Sequence, residues 1–579
     1  MRSNASLWKV ELEYMNDIRT SICERVSTYV TAKGAALSVD EALAFLETPS
    51  DSKLGDLALP CFKLSKLLRA RPDGIASELK SEFDGFEGLE KVEAVGGYLN
   101  FFFGSAKYLT DLNTLIKDEY PILDEYGKGK VIVLDFSSPN IAKRFHLGHL
   151  GTTVIGNAVR NIYKACGYKT VALNYLGDWG TQNGKQIVAF KKWSSRERLE
   201  SEGIKELERI YVMFGKEAEN DPSLNDQARA AFRELENGNE EYLEIWRLFK
   251  DISMREYTQT YKRLGIEFDV WDGESLYTDK MPAIVQELRD KELLKIDDGA
   301  SIVDLSEWNM PPALILKRDG STLYPTRDIA AANYRYNTYK FDKCAYVTSA
   351  GQSLHFAQWF KVTEMMGKDW SKNLVHIPYG TMSFGGEKLA SRTGNIILLN
   401  DVFDEAVAKA RAIIEEKNVA NGNKEEISEA VGIGAVVFSA LANGRIKDTN
   451  FTWEGTLSFE GNTGPYVQYT YARAASVLRR GEMKGGYESY SPESAEAELI
   501  RKLSEFAETV IRSAEEYEPS IVSRFALNVC TLFNQFYHNC RILGSGGETE
   551  QFRLALTAAT RNILGRCLDL LGIKRTEEI

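Results

Sequence analysis

The chain predicts an α/β fold built on a parallel sheet, with a small α+β domain before it and an all-α helical bundle after it. Three observations lead there. The run Val131 to Phe136, bounded by Lys130 and Ser137, is short, apolar and β-branched, as a strand buried on both faces must be. Apolar residues then recur at helical spacing, at Leu150, Val154, Ile155, Ala158, Val159 and Ile162, up to Gly167, and TVALNYLG follows as a second strand. Strand, helix and strand within about forty residues make the βαβ unit of a Rossmann-like, doubly wound sheet, whose ligands bind outside the carboxyl ends of the strands. In the last third, Leu499, Leu503, Phe506 and Val510 keep helical spacing, and Gly485-Gly486 and Gly544 to Gly547 separate the segments.

The 579 residues suit roughly three to five domains. Residues 1–126 read as the α+β domain, with Gly96-Gly97 punctuating the aromatic strand YLNFFF. Residues 127–400 read as the sheet domain, interrupted by a charged helical insertion at about 185–299 and resuming at KCAYVTSA; residues 401–579 read as the bundle. With 44% hydrophobic and 27% charged residues, the composition is that of a soluble globular protein. A net charge of −12 excludes diffuse attraction to polyanions, so a nucleic-acid partner has to be held on local basic patches. Seven cysteines without a C-x-x-C pair suggest neither a disulfide framework nor a cysteine zinc site. The N-terminus lacks the apolar stretch of a secretory signal, and the apolar run Ala430 to Gly444 is too short to span a bilayer, so a cytoplasmic protein is expected.

The most informative stretch is DFSSPNIAKRFHLGHLG, Asp135 to Gly151, a polar loop between buried strand and helix. A helix N-terminus offers unpaired N–H groups and partial positive charge to phosphate. His146 and His149 at its first turn add donors, Gly148 lets a nucleotide approach the backbone, and Lys143 adds a full charge. A metal pair and a plain helix cap are the competing readings, although His355, His376 and His538 supply no matching ligand motif.

This stretch resembles the first signature of class I aminoacyl-tRNA synthetases, in the arginyl form S-P-N-x-x-K-x-x-H-x-G-H: Ser138-Pro139-Asn140, Lys143, His146, Gly148 and His149. NYLGDWGTQNGK (Asn174 to Lys185), LYPTRDIAAA (Leu323 to Ala332), GQSLHFAQWF (Gly351 to Phe360), SFEGNTGPYVQYTYAR (Ser458 to Arg473) and FYHNCRIL (Phe536 to Leu543) resemble further segments of that family, in order. The second signature is matched by Lys388-Leu-Ala-Ser-Arg-Thr-Gly-Asn395, with Ser391 at the usual second lysine position; Ala390 and Thr393 also depart from the pattern.

The resemblance implies ligation of L-arginine to tRNA(Arg) at the expense of ATP. Lys143, His146, His149 and Lys388 would be catalytic, with Lys143 compensating for Ser391, and His146, Gly148, His149 and Lys388 would bind ATP. Arginine presents a planar cation that suits paired carboxylates; Asp135 and Asp328 are expected there, with Tyr324 beside the guanidinium, Gln352 in the pocket and Asn140 at the α-amino end. Tyr466, Tyr469 and Tyr537 are implied at the anticodon and Asn100 at the tRNA elbow, with Phe102 read as apolar core instead. ATP is expected to arrive with Mg2+, without a tightly bound protein metal. A monomer, no membrane partner and no hydrolytic editing site within 185–299 complete the expectations, since a pocket built for a guanidinium rejects lysine by leaving its carboxylates imperfectly paired.

Overall fold

The computed structural model describes residues 18–49, 52–318, 320–385, 387–388, 397–417 and 423–579. In the first domain, strands β1 (Leu57–Pro60), β2 (Leu89–Val95) and β3 (Tyr98–Phe103) form an antiparallel sheet in the order β1-β3-β2. The β2–β3 hairpin turns on Gly96 and Gly97, whose φ values of +57° and +85° suit glycine at both positions of a tight two-residue turn. Leu99 and Phe101 point into a core with Ile22, Val26 and Leu79 from the covering helices. Tyr98, Asn100 and Phe102 alternate onto the other face.

The parallel sheet follows from strands too apolar to leave either face wet. In β4 (Val131–Asp135), Ile132, Val133 and Leu134 are wholly buried. β5 (Lys169–Leu176) and β6 (Val270–Gly273) extend the sheet on one side. A separate antiparallel sheet holds β7 (Leu294–Asp297), β8 (Ala300–Val303) and β9 (Ala313–Leu316). The chain then returns to the other side of β4 with β10 (Lys343–Ser349) and β11 (Leu374–Tyr379), giving the parallel order β11-β10-β4-β5-β6. The order reverses between β4 and β10, so the crevice for ligands opens at the carboxyl ends of those strands.

The expected insertion at 185–299 needs correction. Its helical character runs through helix Glu240–Leu264, but β6, within the same range, is an edge strand of the main sheet. A four-residue strand, VWDG, carries too few apolar residues to announce itself. Beyond residue 400, β14 (Thr449–Phe451) pairs in parallel with β12 (Met382–Phe384), which also pairs with β13 (Glu387–Lys388); chain past the expected boundary is therefore tied back to the catalytic region.

Seven helices of ten residues or more begin at or after Leu399 among the described residues, and Ala430 to Leu441 lie in the buried helix Lys424–Leu441. Bundle and sheet domain share one apolar core. At their junction, Tyr163 Oη donates to Ala514 O (2.9 Å) and Asn161 Nδ2 to Asp569 O (3.0 Å). The first domain is joined through buried Asp56. Its Oδ1 receives Arg501 Nη1 and Tyr108 Oη, each at 2.5 Å, and its Oδ2 the Phe103 amide at 2.6 Å, so the buried charge is fully compensated. Among the described residues no helix is long and apolar enough to cross a membrane.

Helix Leu150–Ala165 packs so tightly under the end of β4 that a Cβ on Gly156 would fall 2.3 Å from Phe136 Cβ. Gly156→Ala is expected to destabilise the protein by about 1–3 kcal/mol through overpacking, measured as a lowered urea midpoint.

Candidate active site

The loop after β4 holds three non-glycine residues in the left-handed region: Ser137 (φ +70°), Ser138 (φ +47°) and Ala142 (φ +61°). Each such conformation costs about 1–2 kcal/mol, so the loop has to be held from outside. Ser137 Oγ lies 2.7 Å from both Thr153 Oγ1 and Tyr261 Oη, and its amide donates to Thr152 Oγ1 at 3.0 Å. The Ala142 amide donates to Ser253 Oγ (2.8 Å), and Tyr257 Oη lies 2.7 Å from the carbonyl oxygens of Asn140 and Lys143. Ser253, Tyr257 and Tyr261 all come from helix Glu240–Leu264. The supposed insertion is thus the buttress of the loop.

The two histidines are held by backbone amides. His146 Nδ1 accepts from the Gly148 amide (3.1 Å) and His149 Nδ1 from the His146 amide (3.2 Å), with ring centroids 3.9 Å apart. Acceptance at Nδ1 puts the proton on Nε2, so each ring offers an N–H. Burial, with the neighbouring ring and Lys143, pushes His149 down to about 3, and burial together with Lys143 lowers His146. Both rings are neutral at pH 7. They thus present uncharged N–H donors, as expected of them, and Lys143 adds positive charge to the loop. Lys143 is half-buried, 5.6 Å from the Tyr211 ring centroid, and has no carboxylate partner among the described residues; its pKa is lowered by desolvation. Gly148 has a steric reason of its own, since a Cβ would meet His146 Nδ1 at 2.9 Å.

Of the second signature only the backbone of Lys388 is described; its side chain and the residues from Leu389 to Asn395, Ser391 included, lie outside the described residues. Just beyond, the Leu147 amide donates to Ile397 O (2.9 Å) and the Leu399 amide to Phe145 O (3.1 Å). Chain leaving the second signature therefore runs alongside the first.

Beside the loop lies a cavity of about 390 Å³. Asp135, Asn140, Tyr324, Asp328 and Gln352, all five residues expected to receive arginine, line it. Asn140 fits because Gly177 lacks a side chain, whose Cβ would lie 1.8 Å from Asn140 Oδ1. Tyr324, 65% exposed, stands at the mouth.

Asp135 departs from expectation. Its Oδ2 is paired with Arg335 Nη1 (2.8 Å) and its Oδ1 accepts from Ser138 Oγ (2.7 Å). Desolvation raises its pKa against the opposing pull of Arg335 and Ser138. Arg335, 1% exposed, lies 5.1 Å from the Tyr175 ring centroid and 5.5 Å from that of Tyr346. Asp135 thus has its charge answered from within the protein by a cation that the sequence did not announce.

A third acid went unrecognised in the sequence. Glu274, just after β6, lines the cavity, and its Oε2 receives Arg327 Nη1 at 2.5 Å. Burial pushes Glu274 up to about 7, with Arg327 opposing and Asp328 reinforcing the rise. The turn carrying it is fixed by buried Asp178 of the GDWG segment, which accepts from the Ser275 amide (2.9 Å), Ser275 Oγ (2.9 Å) and Lys250 Nζ (2.8 Å). The signal available beforehand was an acid directly following a strand end, DGE, at the sheet's ligand-binding edge.

In the bundle, Tyr466, Tyr469, Arg473, Asn534 and His538 line a second cavity of about 330 Å³. Arg473 lies 4.8 Å from the Tyr469 centroid and 5.2 Å from that of Tyr537, so the three implied tyrosines converge about one cation and the Asn534 to Tyr466 hydrogen bond (2.9 Å). Tyr471, by contrast, is core. Asn100 is only 5% exposed, and its neighbours cover it, so it is not placed for the direct RNA contact expected of it; Tyr98 on the same face is exposed and lies edge-on to Phe62 at 5.4 Å.

Family models match three successive segments: "Arginyl tRNA synthetase N terminal domain" over residues 16–103, "tRNA synthetases class I (R), catalytic domain" over 113–453, and "DALR anticodon binding domain" over 467–579. The chain belongs to the arginyl-tRNA synthetase family. It is 46% identical to an arginine–tRNA ligase of Clostridioides difficile (strain 630), across 98% of this chain and 100% of that protein. It is 44% identical to one of Alkaliphilus metalliredigens, at the same coverage. It also resembles the Thermus thermophilus arginyl-tRNA synthetase structure, with a TM-score of 0.80, 25% identity, and 97% of this chain and 100% of that one covered. The first-signature loop and the acid-lined cavity thus fall within the segment matched as catalytic domain, while the aromatic cavity draws Tyr469, Arg473, Asn534 and His538 from the segment matched as anticodon-binding domain.

Tyr257→Phe removes the hydroxyl that secures the Asn140 and Lys143 carbonyls. It is expected to lower kcat about tenfold, equivalent to one or two hydrogen bonds of about 1 kcal/mol each, while arginine KM changes less than twofold; steady-state kinetics with ATP and arginine varied separately decide it.

Proposed function

We propose that this chain activates L-arginine with ATP to arginyl-adenylate and transfers the arginyl group to the terminal adenosine of tRNA(Arg), releasing AMP and diphosphate. The convergence of Asp135, Glu274 and Asp328 on a cavity beside the histidine loop, at the switch point of the sheet, is the observation that carries this reading.

The nucleophile of the first step is the substrate's own carboxylate, ionised at neutral pH because its pKa is about 3.5. No general base is needed. The carboxylate oxygen bonds to the α-phosphorus, the bond to the bridging oxygen breaks, and diphosphate leaves. Such a step is accelerated by positioning and by charge stabilisation. His146 and His149 donate their Nε2–H groups to phosphate oxygens. Lys143 supplies the fixed cation, with Lys388 from the second signature as a further one and Gly148 keeping the loop close. Magnesium enters on the ATP phosphates as part of the substrate. In the second step a ribose hydroxyl, the 2′ hydroxyl by class I resemblance, attacks the adenylate carbonyl and AMP departs.

Asp328 and Glu274 receive the guanidinium, Tyr324 flanks it at the mouth, and Asn140 and Gln352 hold the amino-acid end. Asp135, held by Arg335, presents the outer lone pairs of its carboxylate to the α-ammonium. Tyr466, Tyr469 and Tyr537 about Arg473 offer stacking surfaces to unpaired anticodon bases. The chain is proposed to work in the cytoplasm as a monomer.

Diphosphate exchange with tRNA present is expected for arginine alone among the amino acids; exchange driven by another one overturns the assignment. Lys143→Ala should lower kcat about a hundredfold or more, the scale for removing one oxyanion donor, and an unchanged kcat would remove Lys143 from the chemistry. Glu274 loses its charge as pH falls through about 7, so arginine KM should rise from pH 8 to pH 6. Glu274→Gln should have a high arginine KM that no longer varies over that range.

A further inference from the structure

No acid of the amino-acid cavity faces it bare. Asp135 is paired with Arg335, Glu274 with Arg327, and Asp328 Oδ2 lies 2.7 Å from His355 Nε2. Arg335 and Arg327 belong to the same helix as Asp328, Tyr324–Tyr339. His355 comes from a different one, Ser353–Met365, and its bond to Asp328 links the two helices across the cavity wall. The ring is seated rather than loose. It lies 5.6 Å from the Phe356 centroid at 81°; Phe356 in turn stacks on His376 (4.4 Å, 7°), whose Nε2 is 2.8 Å from Thr348 Oγ1 at the end of β10.

We propose that His355 is a positioning residue for arginine recognition: by donating Nε2–H to Asp328 Oδ2, it fixes the plane of that carboxylate and leaves Oδ1 to the substrate. Arg327 stands in the same relation to Glu274, occupying Oε2 and leaving Oε1. Asp328 Oδ1 and Glu274 Oε1 have no donor among the described residues. Each acid therefore offers one oxygen, and a planar guanidinium with several N–H groups can satisfy both at once. Lysine offers a compact point charge without the planar fork of a guanidinium, so it matches two separately oriented oxygens less well, and an oxygen left without a donor in the pocket carries a desolvation cost. His355 acts through Asp328 and touches no reacting atom. The inference rests on the proposed role of Asp328 in the arginine pocket.

His355→Leu, His355→Gln and Asp328→Asn separate the cases, assayed in tRNA-dependent aminoacylation with arginine and lysine. Loss of one hydrogen bond to a charged group should raise arginine KM about tenfold in His355→Leu, with ATP KM within about twofold and the thermal midpoint unchanged. Because a glutamine side-chain amide can place its N–H where the imidazole Nε2 stood, His355→Gln should recover most of the loss, and the preference for arginine over lysine should narrow in the leucine variant alone. If Asp328→Asn raises arginine KM while His355→Leu leaves it unchanged, the role of His355 is refuted and the pocket stands. If neither changes it, the reading of the pocket itself falls. Equal impairment of both His355 variants would mean that the ring fills space rather than donates, and would also overturn the proposal.

Discussion

The active-site loop depends on a constraint imposed from outside it: hydroxyls of one helix hold a backbone that would otherwise relax. Ser137, Ser138 and Ala142 occupy left-handed conformations within six residues, and none is glycine. Ser253, Tyr257 and Tyr261 of helix Glu240–Leu264 bond to that stretch. With the loop so held, Nδ1 of each histidine meets a backbone amide, and both rings present Nε2–H without carrying charge. The same helix supplies Lys250 to Asp178, which fixes the turn bearing Glu274. One element thus positions both the phosphate-facing loop and an acid of the amino-acid cavity, which gives physical content to the presence of a helical segment between two strands of the sheet.

Charge in the cavity is arranged by internal compensation. Three carboxylates in a poorly solvated space repel one another, and each would be pushed toward protonation if left alone. Arg335, Arg327 and His355 each take one oxygen and hold the side chain in a defined orientation. Asp135 is satisfied most fully and contributes order more than net charge. Glu274 remains close to neutral pH in its titration despite Arg327, because its burial outweighs the pairing. The substrate's guanidinium thus meets acids already oriented, at little further ordering cost.

Much of this was legible in the residues. The apolar β4, the helical spacing from Leu150 and the strand TVALNYLG gave the βαβ unit, and with it the position of the crevice; Asp135, Asn140, Tyr324, Asp328 and Gln352 all line the cavity. What escaped was of two kinds. β6 is short and half-exposed, so its sequence carries little periodic signal, and Glu274 was missed with it. The partners of the acids were missed because Arg335, Arg327 and His355 look like ordinary helix residues until helix Tyr324–Tyr339 is laid against the ends of β4 and β6 and against helix Ser353–Met365. Asn100 shows the reverse failure, since a polar residue alternating with aromatics reads as exposed, whereas its neighbours on the sheet cover it.

Composition, local periodicity and short motifs determined the kinds of element, their order and the chemistry of the loops, because these depend on residues close together along the chain. The neutrality of His146 and His149, the partner of every cavity acid, and the buttressing of the loop from a segment about 110 residues away in sequence were decided by the tertiary structure alone. Protonation and orientation depend on burial and on contacts between distant segments, and no local pattern records which segments will meet.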